Sequence, residues 1–222
     1  MLIYHNPLAA PEDVAGFIME GQAAVTFLLG RMRLESLLDP GEGQKSNFVY
    51  WCPDEFPSEL AIEWEFRPIR EPGLCILFFA AAGRNGRFMF DPELTPRTGE
   101  YDMYHHGEID AMHLSYFRRR YPEERAFHTV NLRKSYGFHL VAQGADPIPD
   151  ASDTDRFYKL RLTKKDGRIT FAVDNLTVLD CQDDGAAYGP LLGAGRIGFR
   201  QMSPLIAEYA NLRVYDFSDT QV

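Results

Sequence analysis

The segment Tyr104-His105-His106-Gly107-Glu108-Ile109-Asp110-Ala111-Met112-His113-Leu114-Ser115-Tyr116-Phe117-Arg118 sets ionisable and hydroxyl groups among apolar ones in a run that otherwise reads as a strand. Period-two alternation sends Glu108 and Asp110 to one face and Ile109 and Ala111 to the other. If the sheet curves, the polar face becomes a groove of carboxylates and imidazole suited to a hydroxyl-rich ligand. If it does not, that face is the solvated side of a half-buried strand. Register decides which side chains join the pair. A bulge between Asp110 and His113 brings His113 and Ser115 beside Glu108 and Asp110, whereas a regular strand brings Met112, Leu114 and Tyr116 there and turns His113 away. The bulged register separates polar from apolar side chains better and is the expected one.

Five of the six histidines fall between residues 105 and 139, interleaved with Tyr101, Tyr104, Tyr116 and Tyr136. Imidazole or phenol can remove a proton next to a carboxylate while arginine, asparagine or lysine neutralises the developing charge. His113, His139, Tyr104 and Glu108 are therefore the candidate catalytic groups. His105, His106, Asp110, Ser115, Asn131, Arg133 and Lys134 are the candidate ligand contacts. Alternation places Asn131 and Arg133 opposite Leu132, where Arg133 either clamps a ligand carboxylate in bidentate fashion or forms an ion pair within the protein. Trp51 is the expected sugar-stacking ring, since Trp64 sits between Ile62 and Phe66 on the apolar parity of its own strand.

Three further features have a plainer reading. Arg118-Arg119-Arg120 is expected to be a solvated strand end. The acidic stretch from Asp146 to Asp155 has oxygen ligands of the kind calcium takes, but its prolines and lack of an EF-hand pattern favour a solvated connector. His105 and His106 are adjacent, so within one strand they point to opposite faces and do not share one ion. No metal ligand set and no cofactor is assigned.

The chain has 222 residues, with a formal charge of -9 and 45% hydrophobic residues. Those proportions belong to a soluble globular protein, and the acidic balance argues against a nucleic-acid partner. Cys52, Cys75 and Cys181 are too few and too scattered for a disulfide framework or a zinc site. No apolar run reaches the length of a membrane span, and the first residues lack the pattern of a signal peptide, so no membrane partner and a cytoplasmic location are expected. The oligomeric state is not fixed by these features.

Strands are expected near Val14 to Glu20, Ala24 to Ser36, Asn47 to Trp51, Leu60 to Arg67, Leu74 to Ala81, Glu108 to Arg118, Ala126 to Arg133, Phe138 to Ala142, Phe157 to Lys164, Arg168 to Asp174, Leu176 to Asp180, Gly195 to Gln201 and Ala207 to Tyr215. Helices should be few and short. Asp166-Gly167 marks a tight hairpin, and Asp174-Asn175 a second turn, so the strands from Phe157 to Asp180 should form a meander. The glycine- and proline-rich stretch from Arg84 to Glu100 either walls a groove or merely connects. Many short strands in one domain over residues 1 to 222 predict an all-β jelly-roll sandwich of two antiparallel sheets.

The ordered series Phe157-Tyr158-Lys159-Leu160-Arg161-Leu162, Asp166-Gly167-Arg168-Ile169-Thr170-Phe171-Ala172-Val173-Asp174, Gly195-Arg196-Ile197-Gly198-Phe199-Arg200 and Tyr209-Ala210-Asn211-Leu212-Arg213-Val214 resembles the closing strands of concanavalin A-like lectin/glucanase domains. More narrowly, Asn47-Phe48-Val49-Tyr50-Trp51-Cys52-Pro53, Ile62-Glu63-Trp64-Glu65-Phe66, Arg97-Thr98-Gly99, Tyr104-His105-His106-Gly107 and the run from Asn131 to Pro147 resemble the YesU-like bacterial family. The likeness implies a concanavalin A-like jelly roll and a carbohydrate role tied to pectin-type polysaccharides. Glu108-Ile109-Asp110 also resembles the opening of the active strand of retaining β-glucanases, but the position of the second catalytic carboxylate holds Met112 or His113. The expected function is therefore binding and lyase-type cleavage of acidic, uronate-containing oligosaccharides. The alternative is a non-catalytic carbohydrate-binding or sensing module.

Overall fold

The computed structural model describes residues 1–218, so the last four residues of the expected domain lie outside the described residues. Strands in chain order are β1 (Leu2–Asn6), β2 (Ile18–Glu20), β3 (Ala23–Phe27), β4 (Met32–Ser36), β5 (Phe48–Trp51), β6 (Leu60–Arg70), β7 (Cys75–Gly83), β8 (Ile109–Tyr116), β9 (Thr129–Lys134) and β10 (His139–Ala145). The remainder are β11 (Tyr158–Lys165), β12 (Arg168–Val173), β13 (Leu176–Gln182), β14 (Arg196–Gln201) and β15 (Ile206–Asp216). The α-helices are short: α1 (Asp102–His105) and α2 (Pro122–Phe127).

The protein is an all-β jelly-roll sandwich. One sheet runs β13-β12-β11-β6-β15-β4-β3, with β1 also paired to β15, and the other runs β10-β9-β8-β7-β14-β5-β2. Between them, Trp64 and Phe66 of β6, Leu77 and Phe79 of β7, Leu114 and Tyr116 of β8, and Phe171 of β12 form one core cluster. Trp64 stacks on Phe171 and donates its indole N–H to the Tyr116 hydroxyl at 3.3 Å, so its one polar atom is satisfied inside the core. The meander forms as expected: Asp166 (φ 51°) and Gly167 (φ 76°) turn β11 into β12, and Asp174 and Asn175 turn β12 into β13.

Four local expectations are corrected. The run from Ala24 to Ser36 splits into β3 and β4, because Leu29 and Gly30 adopt positive φ and the chain doubles back. Ala126 and Phe127 end helix α2 instead of opening a strand, since Pro122 fixes φ at the first helical position and Glu124 caps the backbone N–H groups of Arg120 and Tyr121. The bulge expected between Asp110 and His113 lies in the partner strand. Residues 110 to 112 of β8 face residues 79 to 82 of β7, where Ala80 takes φ 50°. Strand β8 is thus regular, with Met112, Leu114 and Tyr116 in the core. Arg119 is fully buried, held by Asp146 and Asp150 and by the Ile148 carbonyl, so the basic run is an internal anchor and not a solvated end.

Candidate functional site

Regular alternation in β5, β7, β8, β9 and β14 fixes which side chains reach the outer face of the seven-stranded sheet. Cross-strand neighbours on one face lie side by side, and two rows result. In the first, Asn131, Ser115, Ile76, Arg200 and Val49 are successive partners. In the second, Arg133, His113, Phe78, Gly198 and Trp51 are. Gly198 is needed in that row, since a Cβ there would stand 2.4 Å from the Trp51 ring.

The β5 end of this face is roofed by the segment that precedes β8. Trp51 is 0% exposed, stacks on Phe78 and donates to Glu20 at 2.8 Å. Tyr104 is likewise 0% exposed; its hydroxyl donates to the same Glu20 oxygen at 2.8 Å and accepts from the Gly99 N–H at 3.1 Å. Arg97 closes the network with an ion pair to Glu20 at 2.6 Å. Burial foremost, then the Glu20 charge, pushes the Tyr104 phenol well above its ordinary range. Trp51 is therefore not a stacking surface, and Tyr104 is not placed to meet a ligand. Both hold the roof.

The other end stays open as a groove of about 340 Å³. Ser115, Asn131, Ile76 and Arg200 of the sheet line it together with Arg133, Phe138, Tyr101, Arg118 and Tyr121, and Glu123 and Glu124 add two carboxylates to the lining. Arg200 is buried, and its Nη2 donates to Gln44 at 3.0 Å and to the Gly99 carbonyl at 3.2 Å. Its Nε and Nη1 make no hydrogen bond, and it has no carboxylate partner among the described residues. Arg133 lies over the Phe138 ring, 3.7 Å from its centre, and donates to the Phe138 carbonyl. Arg118, by contrast, is matched by Glu124 at 2.7 Å.

His113 lies beneath Tyr101, with Nδ1 3.0 Å from the phenol oxygen and Nε2 3.2 Å from Ser135 Oγ. Ser135 Oγ is in reach of the Ala111 carbonyl at 3.3 Å and accepts from the Ala111 N–H at 2.9 Å. With its hydroxyl proton given to that carbonyl, Ser135 accepts from His113, which puts the imidazole proton on Nε2 and leaves Nδ1 to accept from Tyr101. Burial, then His105 and the two arginines, holds the His113 imidazole well below its usual range, so it is neutral at pH 7. Burial also raises the Tyr101 phenol to about 12. The pair is a neutral phenol hydrogen-bonded to a neutral base.

The remaining candidates lie elsewhere. Glu108 precedes β8, accepts the Thr95 N–H at 2.7 Å and lines a neighbouring cavity of about 420 Å³ with His106. Asp110 faces Arg84 at 3.5 Å. His105 packs against Tyr101 and Phe138, and burial foremost lowers its imidazole to about 4. His139 is the cross-strand partner of Lys134, on the face away from Arg133, with its ring near Tyr188. Lys134 is buried in an ion pair with Asp183 at 2.7 Å. The expected groove of Glu108, Asp110, His113 and Ser115 is therefore divided: only Ser115, Asn131 and Arg133 line the arginine groove, with His113 behind Tyr101.

Sequence reasoning passed over Arg200, although the parity of Ile197 and Phe199 already placed it on the outer face. Asp146 and Asp150 are committed to Arg119, and no group of three or more acidic, histidine or cysteine side chains among the described residues is arranged for a metal.

Fold and site together define a two-sheet β-sandwich with an arginine-lined groove on one sheet. The crystal structure of a protein of unknown function with galectin-like fold from Bacillus subtilis superposes with a TM-score of 0.92 at 48% identity, covering 97% of this chain and 96% of that one. The chain belongs to the family described as "Domain of unknown function (DUF1961)", whose model matches residues 1–214. It is 49% identical to the uncharacterized protein YesU of Bacillus subtilis (strain 168) over 213 residues, 96% of this chain and 94% of the relative. The YesU-like resemblance is thus membership, and the fold is galectin-like. A more distant likeness in fold is the VIP36 exoplasmic/lumenal domain in a Ca2+/Man3GlcNAc-bound form, with a TM-score of 0.64 at 12% identity over 100% of this chain and 92% of that one.

Proposed function

We propose that the protein binds oligosaccharides carrying a uronate carboxylate in the groove on the seven-stranded sheet, between Arg133 and Arg200. The observation that carries this reading is Arg200: a buried guanidinium with two nitrogens that make no hydrogen bond and no ion pair to a carboxylate among the described residues, although Glu123 and Glu124 line the same groove. A desolvated arginine is costly unless acceptors complete it, and with Nη2 already bonded a carboxylate meets it through a single nitrogen, Nη1. Ser115, Asn131 and Tyr101 add hydroxyl and amide groups for sugar hydroxyls, and the half-exposed Phe138 and Tyr121 give apolar surface for ring C–H groups. The sandwich shared with the sugar-bound VIP36 domain supports carbohydrate as the ligand class.

The Tyr101–His113 hydrogen bond offers a proton path for cleavage by β-elimination, which requires the bound substrate to bring the phenol down from about 12 towards the imidazole. The phenol oxygen takes the proton from the carbon next to the uronate carboxylate while passing its own proton to His113 Nδ1. The electrons of that C–H bond form the new carbon–carbon double bond, the bond to the departing sugar oxygen breaks, and that oxygen recovers the proton. Arg133 and Arg200 stabilise the charge that builds on the carboxylate. Two-carboxylate hydrolysis has less support, because Glu108 and Asp110 lie outside the groove.

The test is calorimetric titration with uronate oligosaccharides, together with the ultraviolet absorbance of the unsaturated uronate that elimination creates. Binding with rising absorbance supports both statements. Binding without absorbance removes the elimination and leaves a binding module. No binding of any acidic oligosaccharide overturns the reading.

A further inference from the structure

A ridge separates the arginine groove from the neighbouring cavity of about 420 Å³. Helix α1 forms one side of it and the β9–β10 hairpin tip (135–138) the other, joined by the Gly137 N–H donating to the His105 carbonyl at 2.6 Å. Ring contacts complete it: His105 lies 4.8 Å from Phe138, and His106 lies 5.5 Å from Tyr136. Phe138 lines the groove and Tyr136 lines the cavity beyond, and the two rings are 47% and 46% exposed. Each carries a guanidinium over one face, Arg133 at 3.7 Å and Arg84 at 4.0 Å from the ring centre. A ring fixed by a cation and an imidazole has lost its freedom before a ligand arrives, so its exposed part is a preorganised platform for a sugar C–H face.

The two cavities differ in charge. In the groove, Arg200 and Arg133 have no acidic partner among the described residues. In the cavity beyond, Arg84 is opposed by Asp110, Arg97 by Glu20 and Glu108 by Arg87 at 3.8 Å, so each cation of the wall is matched and Asp102 is added to them. The Thr95 N–H keeps the Glu108 carboxyl below its ordinary range, so it is ionised at neutral pH. Such a charge-balanced wall has no spare cation for a carboxylate and offers acceptors to hydroxyl groups.

We propose that this cavity is a second sugar subsite, which takes a neutral residue joined to the uronate held in the groove, with Tyr136 as its stacking platform and Glu108 as its hydroxyl acceptor. The inference rests on the acidic-oligosaccharide reading and narrows it to chains in which acidic and neutral residues are neighbours.

The experiment titrates the full chain with two oligosaccharides of equal length, a homo-oligomer of uronate and one that alternates uronate with a neutral sugar. The alternating chain should bind about tenfold more tightly, a difference of about 1.4 kcal/mol. Tyr136→Ala should remove that advantage and leave the homo-oligomer unchanged. Glu108→Gln should narrow the gap from the other side by admitting the homo-oligomer. Equal affinity for the two chains, with neither substitution altering it while Arg200→Met weakens both, overturns the second subsite and leaves the groove standing. Failure of the wild-type protein to bind either chain overturns the groove reading and this inference with it.

Discussion

Replacing Arg200 by methionine should separate binding from stability. In the folded protein Arg200 Nη2 makes two hydrogen bonds, whereas Nε and Nη1 make none among the described residues. An unsatisfied buried N–H costs about 1–3 kcal/mol, so the two orphaned groups together cost roughly 2–6 kcal/mol. Methionine removes both. It leaves the buried Gly99 carbonyl without its arginine donor, again at about 1–3 kcal/mol, while Gln44 is exposed and turns to water. The balance runs from about 1 kcal/mol against the variant to about 5 kcal/mol in its favour. Binding should move the other way. One charge-assisted hydrogen bond from Nη1 to a carboxylate, at about 1.5–3 kcal/mol, amounts to roughly a tenfold to hundredfold loss in affinity. The assays are urea unfolding and calorimetric titration with a uronate oligosaccharide. A variant destabilised by more than about 2 kcal/mol that binds as tightly as the wild type would refute the reasoning, because Arg200 would then be a structural tie and not a ligand group.

Trp51→Ala should cost about 3–5 kcal/mol in unfolding experiments, because it opens a cavity under the roof and strips a donor from Glu20; a loss of binding without a loss of stability would restore Trp51 as a sugar platform. His139→Ala should leave both titration and absorbance unchanged, since the ring lies on the face away from Arg133, and a loss of turnover above tenfold would contradict that placement. Lys134→Ala should destabilise the fold by about 3–5 kcal/mol through the unpaired Asp183 it leaves, read from the urea midpoint at unchanged slope. Stability should also fall below about pH 6.5, because the unfolded chain protonates an imidazole that the folded chain keeps neutral at His113. Stability rises with pH wherever the unfolded state binds more protons, so this contribution is present in full above the ordinary histidine value and fades as pH drops, by up to about 1.4 kcal/mol per unit. His105, lowered to about 4, adds a weaker slope damped by solvent. Unfolding curves between pH 7.5 and 5 should be flatter for His113→Gln than for the wild type, and an identical slope would show that the buried imidazole titrates normally.

What the sequence made legible was whatever alternation and turn chemistry control. Trp64 reads as core from Ile62 and Phe66 on its own strand, and Asp166-Gly167 reads as a hairpin because few other pairs accept two positive φ values. The same parity argument places Asn131 and Arg133 opposite Leu132, and the groove contains both. Alternation fails where the outcome depends on another segment. Trp51 does face outward from its sheet, yet residues 84 to 107 return to cover it, and no local pattern reveals that Glu20, far away in sequence, supplies the acceptor. The register of β8 was misjudged for a related reason: polar side chains look better segregated with a bulge in that strand, but the strain went to Ala80 across the ladder, where small residues admit it. Arg200 is the instructive case. Its position on the outer face follows from Ile197 and Phe199, but its importance follows from its making no ion pair among the described residues, which is a property of three-dimensional neighbours. Arg200 bonds Gln44 and the Gly99 carbonyl and lies over the Tyr101 ring at 4.7 Å, but forms no ion pair, which is why the proposed ligand is an anion.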